Sequence, residues 1–222
     1  MSSIWNTQKT TTENKSVWGS IQPKPQQQIV NPNASVFETQ HVYKAMPVFS
    51  TILADHVEFN KYLKHVILEH RQNNPETTKS NVKAWHSSWV THQENPKFNH
   101  LCHLVEELCY FVGEGFFNCS DTKYSVSNMW AMMYEQTEHT IRHSHFPSDF
   151  SGVYYVDVEP GCAPVIFESV VNDGVNDNNQ PLTLQPQNGM LAIWPAILHH
   201  EVPPTKGKRM CISMNIEKAE GK

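Results

Sequence analysis

The apolar positions of this chain change period about halfway along it. From about residue 50 to 72, Leu53, Val57, Tyr62, Val66 and Ile67 recur near helical spacing, and Asn73-Asn74-Pro75 closes the run. A second stripe, Phe98, Leu101, Leu104, Val105, Leu108 and Phe111, predicts a helix from about Pro96 to Gly113. From about Tyr124 the period falls to two. Strands are expected over 124–134, 151–158, 164–168, 182–184, 190–194 and 209–217, separated by clusters such as Val171-Asn172-Asp173-Gly174 and Asn176-Asp177-Asn178-Asn179. Val36 to Tyr43 has mixed strand character. Short, punctuated strands after a helical front predict an α+β, β-rich chain: a β-sandwich or jelly roll flanked by N-terminal helices.

Residues 1–34 depart from both patterns. They are rich in Thr, Ser, Asn, Gln and Pro, include Gln22-Pro23-Lys24-Pro25-Gln26-Gln27-Gln28, and cannot bury much apolar surface. A flexible arm is expected there, with Trp5, Trp18, Ile21 and Ile29 able to dock. One domain is expected over 35–222, with a helical front at 50–120 and a jelly-roll core at 121–217.

Composition narrows the function classes. The net charge of -5, with histidine neutral, has no polybasic signature, so no nucleic-acid or membrane partner is expected. No apolar run approaches the ~20 residues of a transmembrane helix, and the N-terminus lacks the apolar centre of a signal peptide. Five cysteines (102, 109, 119, 162 and 211) form no disulfide framework, which suggests reduced thiols in a cytoplasmic compartment. Cys102 and Cys109 read as packed thiols on the second helix, and Trp85, Trp89, Trp130 and Trp194 as core or cavity-wall residues. A homodimer is among the expectations.

Among thirteen histidines, three stand out by position. His143 and His145 are two residues apart ahead of a strand, so both can face one side. His200 follows at the end of another strand; His199 beside it would replace it after a one-residue slip. In the last strand Arg209, Cys211, Ser213 and Asn215 share one face, while Met210, Ile212, Met214 and Ile216 share the other. If the apolar face packs on the helices, Arg209 faces the interior, where a cation needs an anionic partner. With Ser213 it suits a carboxylate held through two hydrogen bonds. A metal with few protein ligands beside such an arginine is the layout of a non-haem iron oxygenase.

At these residues the chain resembles the 2-oxoglutarate/iron(II)-dependent oxygenase-like family common in bacteria and in tailed phages of marine bacteria. The resemblance rests on Ser151-Gly152-Val153-Tyr154-Tyr155-Val156 after His-x-His, on Leu198-His199-His200-Glu201-Val202-Pro203 and on Arg209-Met210-Cys211-Ile212-Ser213-Met214-Asn215. Lys79-Ser80-Asn81-Val82-Lys83-Ala84-Trp85-His86-Ser87-Ser88 is similar to an upstream element of the phage members, and Trp130 to an aromatic ahead of the metal motif. The similarity spans roughly 79 to 217.

The resemblance implies a double-stranded β-helix (cupin-like), Fe(II), and 2-oxoglutarate as cosubstrate. It implies His143, His145 and His200 as metal ligands. Arg209 would grip the distal carboxylate, with Ser213, Asn215 and either Tyr154 or Tyr155 nearby. The expected activity is that of a dioxygenase hydroxylating a peptidyl or small-molecule C–H bond, with release of succinate and CO2. A phage origin would place it in the host cytoplasm. His145 stands where the superfamily usually has Asp or Glu, and Asp149 is the nearest carboxylate that could replace it. Phe146 precedes Pro147 where Pro often follows the second His directly, His139-Thr140 replaces a Tyr-Asn pair, and Cys211 stands where Ser is usual. His139 is either an orienting partner of a ligand or a surface residue. Two other readings compete: a non-catalytic jelly-roll binding or structural module, and a cupin-like three-histidine dioxygenase without 2-oxoglutarate.

Overall fold

The computed structural model of the chain describes residues 46–75, 81–119, 121–168 and 181–219. The expected arm, the Val36–Tyr43 segment, Lys79 and Ser80, and the turn clusters at 171–174 and 176–179 lie outside them. The described elements are β1 (Phe49–Ile52), α1 (His56–Asn73), β2 (Val82–Lys83), β3 (Trp85–His86), the short α2 (Thr91–Glu94), a 3-10 turn (Pro96–Phe98) and α3 (Asn99–Phe117). Then come β4 (Tyr124–Tyr134), β5 (His139–His143), β6 (Phe150–Val158), β7 (Val165–Phe167), β8 (Leu182–Leu184), β9 (Met190–Pro195), β10 (His200–Val202) and β11 (Arg209–Lys218).

Two antiparallel sheets result. The larger runs β1-β9-β6-β11-β4-β3 and the smaller β2-β5-β10-β7-β8. This is the jelly-roll, double-stranded β-helix architecture, with helices on the outer face of the larger sheet. Its centre is β11, which pairs with β4 and β6 along nearly its full length. Alternation sorts β11 as the sequence predicts: Met210, Ile212, Met214 and Ile216 are buried in the core shared with α1 and α3. Arg209, Cys211, Ser213 and Asn215 face the cleft between the sheets.

The helices differ from expectation in detail. Residues 49–52 extend a strand onto β9, and Leu53 N donates to Gly189 O at 3.0 Å, so α1 starts only at His56. Sheet pairing overrides the local helical spacing there. The buried stripe of α1 is Asn60, Leu63, Val66 and Ile67; Val57 and Tyr62 face solvent. In α3, Phe111 is exposed, and the stripe runs through Leu101, Val105, Cys109 and Val112. Gly113 does not end α3. A Cβ there would come within 3.0 Å of the Tyr124 ring, so glycine allows close packing, and the helix ends instead at left-handed Asn118. Among the described residues, no helix is long and apolar enough to cross a membrane.

Candidate metal centre and anion pocket

The smaller sheet brings the histidines together. β5 and β10 pair so that His143 lies opposite His200. His145 lies beyond the end of β5, and its N–H donates to Ala196 O at 2.8 Å. The two-residue spacing therefore works differently from the expected shared strand face: the chain leaves β5 and turns His145 back toward His143. The Nε2 atoms of these two rings are 3.2 Å apart. Ligand nitrogens of His143, His145 and His200 lie within 4.8 Å of one another. His199 stays outside this cluster, so the register favours His200.

Hydrogen bonds fix two of the tautomers. His143 Nδ1 lies 2.8 Å from Ile141 O, and His200 Nδ1 lies 3.0 Å from Leu198 O. A carbonyl only accepts, so each Nδ1 carries the proton and each Nε2 keeps its lone pair for the cluster. Burial pushes His145 and His200 down to about 3 and lowers His143; His143 further discourages a proton on His145 and His200, and His199 one on His143. At 3.2 Å, the Nε2 atoms of His143 and His145 are joined either by an N–H donated from neutral His145 to the His143 lone pair or by a cation between them. Two nitrogens bonded side by side to one metal at about 2.1 Å each are separated by about 3 Å, so the set fits such an ion.

The other candidates for the metal set face elsewhere. Asp149 Oδ2 accepts from Lys218 N at 2.8 Å and does not line the cleft. His139 is hydrogen-bonded at 3.5 Å to Thr137 O and sits near the surface, without contact to the cluster.

The cleft holding the cluster encloses about 420 Å³, within the range of small-molecule sites. Arg209 lies on its wall, 4% exposed. One guanidinium nitrogen donates to Ala163 O at 3.1 Å, and the group sits 4.2 Å over the Tyr134 ring. No ion pair among the described residues involves Arg209. Its Nε, the Tyr155 hydroxyl and Trp194 Nε1 are buried without a hydrogen-bond partner among the described residues. Burial raises the Tyr155 phenol, which therefore stays protonated and available as a donor. A buried cation beside an unmet hydroxyl donor is suited to bind an anion.

Ser213 and Asn215 also line the cleft. Tyr154 does not: it faces the helices, and its hydroxyl donates to Asn60 Oδ1 at 2.6 Å. Of the two tyrosines left open by the sequence, Tyr155 is the one that reaches the cleft, because neighbouring strand residues point to opposite faces. Trp130 and Trp194 are cavity walls and Trp85 is core; Trp89, at the mouth, is 39% exposed. Cys102 and Cys109 are buried thiols, the first pushed up to about 11.

Tyr134 and His86 are among the cleft residues that sequence reasoning missed. Tyr134 lies opposite Arg209 across the β4–β11 ladder, and the same two-residue alternation places Asn128, Trp130, Met132 and Tyr134 along one wall. That alternation could have revealed it. His86 is fully buried, stacked 5.6 Å from Trp130 at an interplanar angle of 9°. Only its place in the upstream element hinted at a role.

Residues 128–215 match a family described as "Putative 2OG-Fe(II) oxygenase". The fold is shared with solved structures of low sequence identity. A Pseudomonas putida prolyl-4-hydroxylase is 12% identical, with a TM-score of 0.56 over 78% of this chain and 92% of that one. A Trichoplax adhaerens prolyl hydroxylase, solved with a hypoxia inducible factor oxygen degradation domain peptide fragment, is 13% identical, with a TM-score of 0.57 over 76% and 83%. Streptomyces hygroscopicus HygX, solved with nickel and 2-oxoglutarate, is 8% identical, with a TM-score of 0.57 over 79% and 84%. No curated protein matches the chain.

Proposed function

We propose that the protein hydroxylates a C–H bond of a peptidyl or small-molecule substrate, because residues 128–215, which carry the site, match a family described as "Putative 2OG-Fe(II) oxygenase". The reaction consumes O2 and 2-oxoglutarate and yields the alcohol, succinate and CO2. The observation that carries this reading is the pairing of a three-imidazole cluster with a buried arginine that lacks an anionic partner in one cleft.

His143, His145 and His200 would hold Fe(II) through Nε2. Arg209 would hold the far carboxylate of 2-oxoglutarate, with Tyr155 donating a further hydrogen bond and Ser213 and Asn215 lining the approach. Bound together, iron and the keto acid supply dioxygen activation coupled to decarboxylation. The chain's own residues orient and exclude water. The Ile141 and Leu198 carbonyls keep two imidazoles in the ligating tautomer. Trp194 and Phe167 pack against His200 at 5.0 and 5.7 Å between ring centroids and seal that side. With the His145 imidazole in place of a carboxylate, a bound Fe(II) would keep one more positive charge, which would favour an anionic cosubstrate.

A cupin-like site that uses no cosubstrate would share the three imidazoles but would have no need of Arg209. Anaerobic titration of Fe(II) with 2-oxoglutarate separates the two. The weak visible charge-transfer band of an iron–keto acid chelate is expected in the parent protein, lost in His200→Ala and weakened in Arg209→Ala. A folded, iron-binding protein that gives no band with 2-oxoglutarate would overturn the reading.

A further inference from the structure

Among the described residues, two formally charged side chains line the cleft, Arg209 and Glu217. They stand at opposite ends of β11, whose eight-residue separation spans roughly 26 Å at ~3.3 Å per residue. Arg209 is at the buried end and Glu217 at the exposed end. The cleft is therefore polar along its length: cationic in its depth, uncharged at the imidazoles, anionic at its mouth.

Glu217 is held but not neutralised. The hydroxyls of Ser127 and Ser148 both donate to its Oε1, at 3.2 and 3.1 Å. Among the described residues its Oε2 has no hydrogen-bond partner and Glu217 makes no ion pair; the neighbouring Lys218 turns to Asp149 instead. Two aromatic side chains that line the cleft are exposed like Glu217, Trp89 at 39% and Phe146 at 71%. Trp89 is anchored beside the cleft strand, its carbonyl accepting from Met129 N at 2.9 Å, and its ring packs edge-on against Trp130 at 4.5 Å. Phe146 lies two residues before Ser148, which fixes the carboxylate.

We propose that this mouth selects a substrate carrying a protonated amine or guanidinium, with Glu217 pairing the charge and Trp89 and Phe146 flanking it. This rests on the oxygenase reading and adds the substrate class to it. A pre-oriented carboxylate with open lone pairs bonds a cationic donor more strongly than a neutral one, and aromatic faces attract the same charge. An anionic substrate would meet repulsion from the Glu217 carboxylate on its way in. The reacting C–H would then lie between the cationic group and the imidazole cluster.

The test uses full-length protein loaded anaerobically with Fe(II) and 2-oxoglutarate, and three probes: acetyl-Gly-Lys-Gly-amide, its norleucine counterpart and n-pentylammonium. Dissociation constants come from ligand-observed NMR. The lysine peptide is expected to bind about tenfold tighter than the norleucine peptide, and Glu217→Gln, which preserves an oxygen for both serines, to remove that difference. Pentylammonium matching the lysine peptide would assign the site to free amines; weaker binding would assign it to peptides. Equal affinity for lysine and norleucine peptides, a preference that survives Glu217→Gln, or binding of neither peptide would overturn the inference. The charge-transfer band is recorded on the same samples. A lysine preference without the band would instead overturn the oxygenase reading and leave the cation site standing.

Discussion

The two faces of the larger sheet are built from the same strands and obey different rules. On the helix side, Met129, Ala131, Tyr154, Met210, Ile212 and Met214 pack into one apolar core, and the one hydroxyl among them is hydrogen-bonded. On the cleft side, Trp130, Tyr134, Tyr155 and Cys211 alternate with them, and Tyr155 and Arg209 keep unmet polar atoms. Local propensity cannot separate the faces, because each residue has its strand neighbours on the other side. What differs is completeness: one face meets its own polar groups, and the other leaves buried polar atoms unmet, as a ligand site would.

The sharpest way to break this comparison is to cut each face once. Arg209→Met should reduce 2-oxoglutarate turnover about a hundredfold or more, since it removes one partner of a buried charge pair with the cosubstrate. It should not lower the thermal midpoint of the cofactor-free protein, because an unpaired buried cation is replaced by an apolar chain of similar length. Ile212→Ala, three residues along the same strand, should do the opposite. It should lower unfolding free energy by about 2–5 kcal/mol by leaving a cavity under α1 and α3, while folded molecules retain cosubstrate affinity. Parallel chemical unfolding and succinate assays read both. If Arg209→Met destabilises as much as Ile212→Ala, the cleft face is ordinary core.

Acid should open a second difference between the faces. The imidazoles of His145 and His200 lie far below their ordinary value of 6.5, at about 3, through burial. Between those values the unfolded chain binds protons that the folded chain refuses, so the stabilisation is full above 6.5 and is lost as pH falls towards 3. From pH 7 to 5.5, each histidine should cost the cofactor-free protein about 1–1.5 kcal/mol. Chemical unfolding at both pH values checks this, and His145→Gln or His200→Gln should each remove one share. A pH-independent unfolding free energy would mean that these rings are protonated in the folded protein.

Much of this was legible in the sequence, and the reasons are geometric. The period of two along 209–217 correctly sorted β11 into an apolar face and a cleft face, because alternation in a strand leaves no other choice. The histidine cluster was legible as residues but not as backbone. His145 looked like a strand position and is instead brought in by the turn after β5, a feature of tertiary pairing with Ala196. The start of α1 was misplaced because Phe49–Ile52 gains strand partners on β9, about 140 residues away, and no local window contains them. Glu217 was invisible as a site residue because a carboxylate near the end of an amphipathic strand looks like solvation, and only the cleft shows that it stands at a mouth.

The smallest effect is the most discriminating, because it compares two adjacent tyrosines. Tyr154 and Tyr155 are both fully buried on β6. The Tyr154 hydroxyl donates to Asn60 Oδ1 at 2.6 Å, and Asn60 in turn donates to Tyr155 O at 3.4 Å. Tyr154→Phe should cost about 1–2 kcal/mol of stability, since it strands a buried amide oxygen, and should leave 2-oxoglutarate affinity unchanged. Tyr155→Phe should change cofactor-free stability by less than about 0.5 kcal/mol, because its hydroxyl has no partner to lose. It should weaken 2-oxoglutarate binding severalfold, in line with the loss of one hydrogen bond to a charged group. Calorimetric unfolding and cosubstrate titration of the two variants should thus give mirror-image results. A Tyr155→Phe variant with unchanged cosubstrate affinity would mean that the unmet hydroxyl is only an imperfection of packing, and that the anion pocket consists of Arg209 without it.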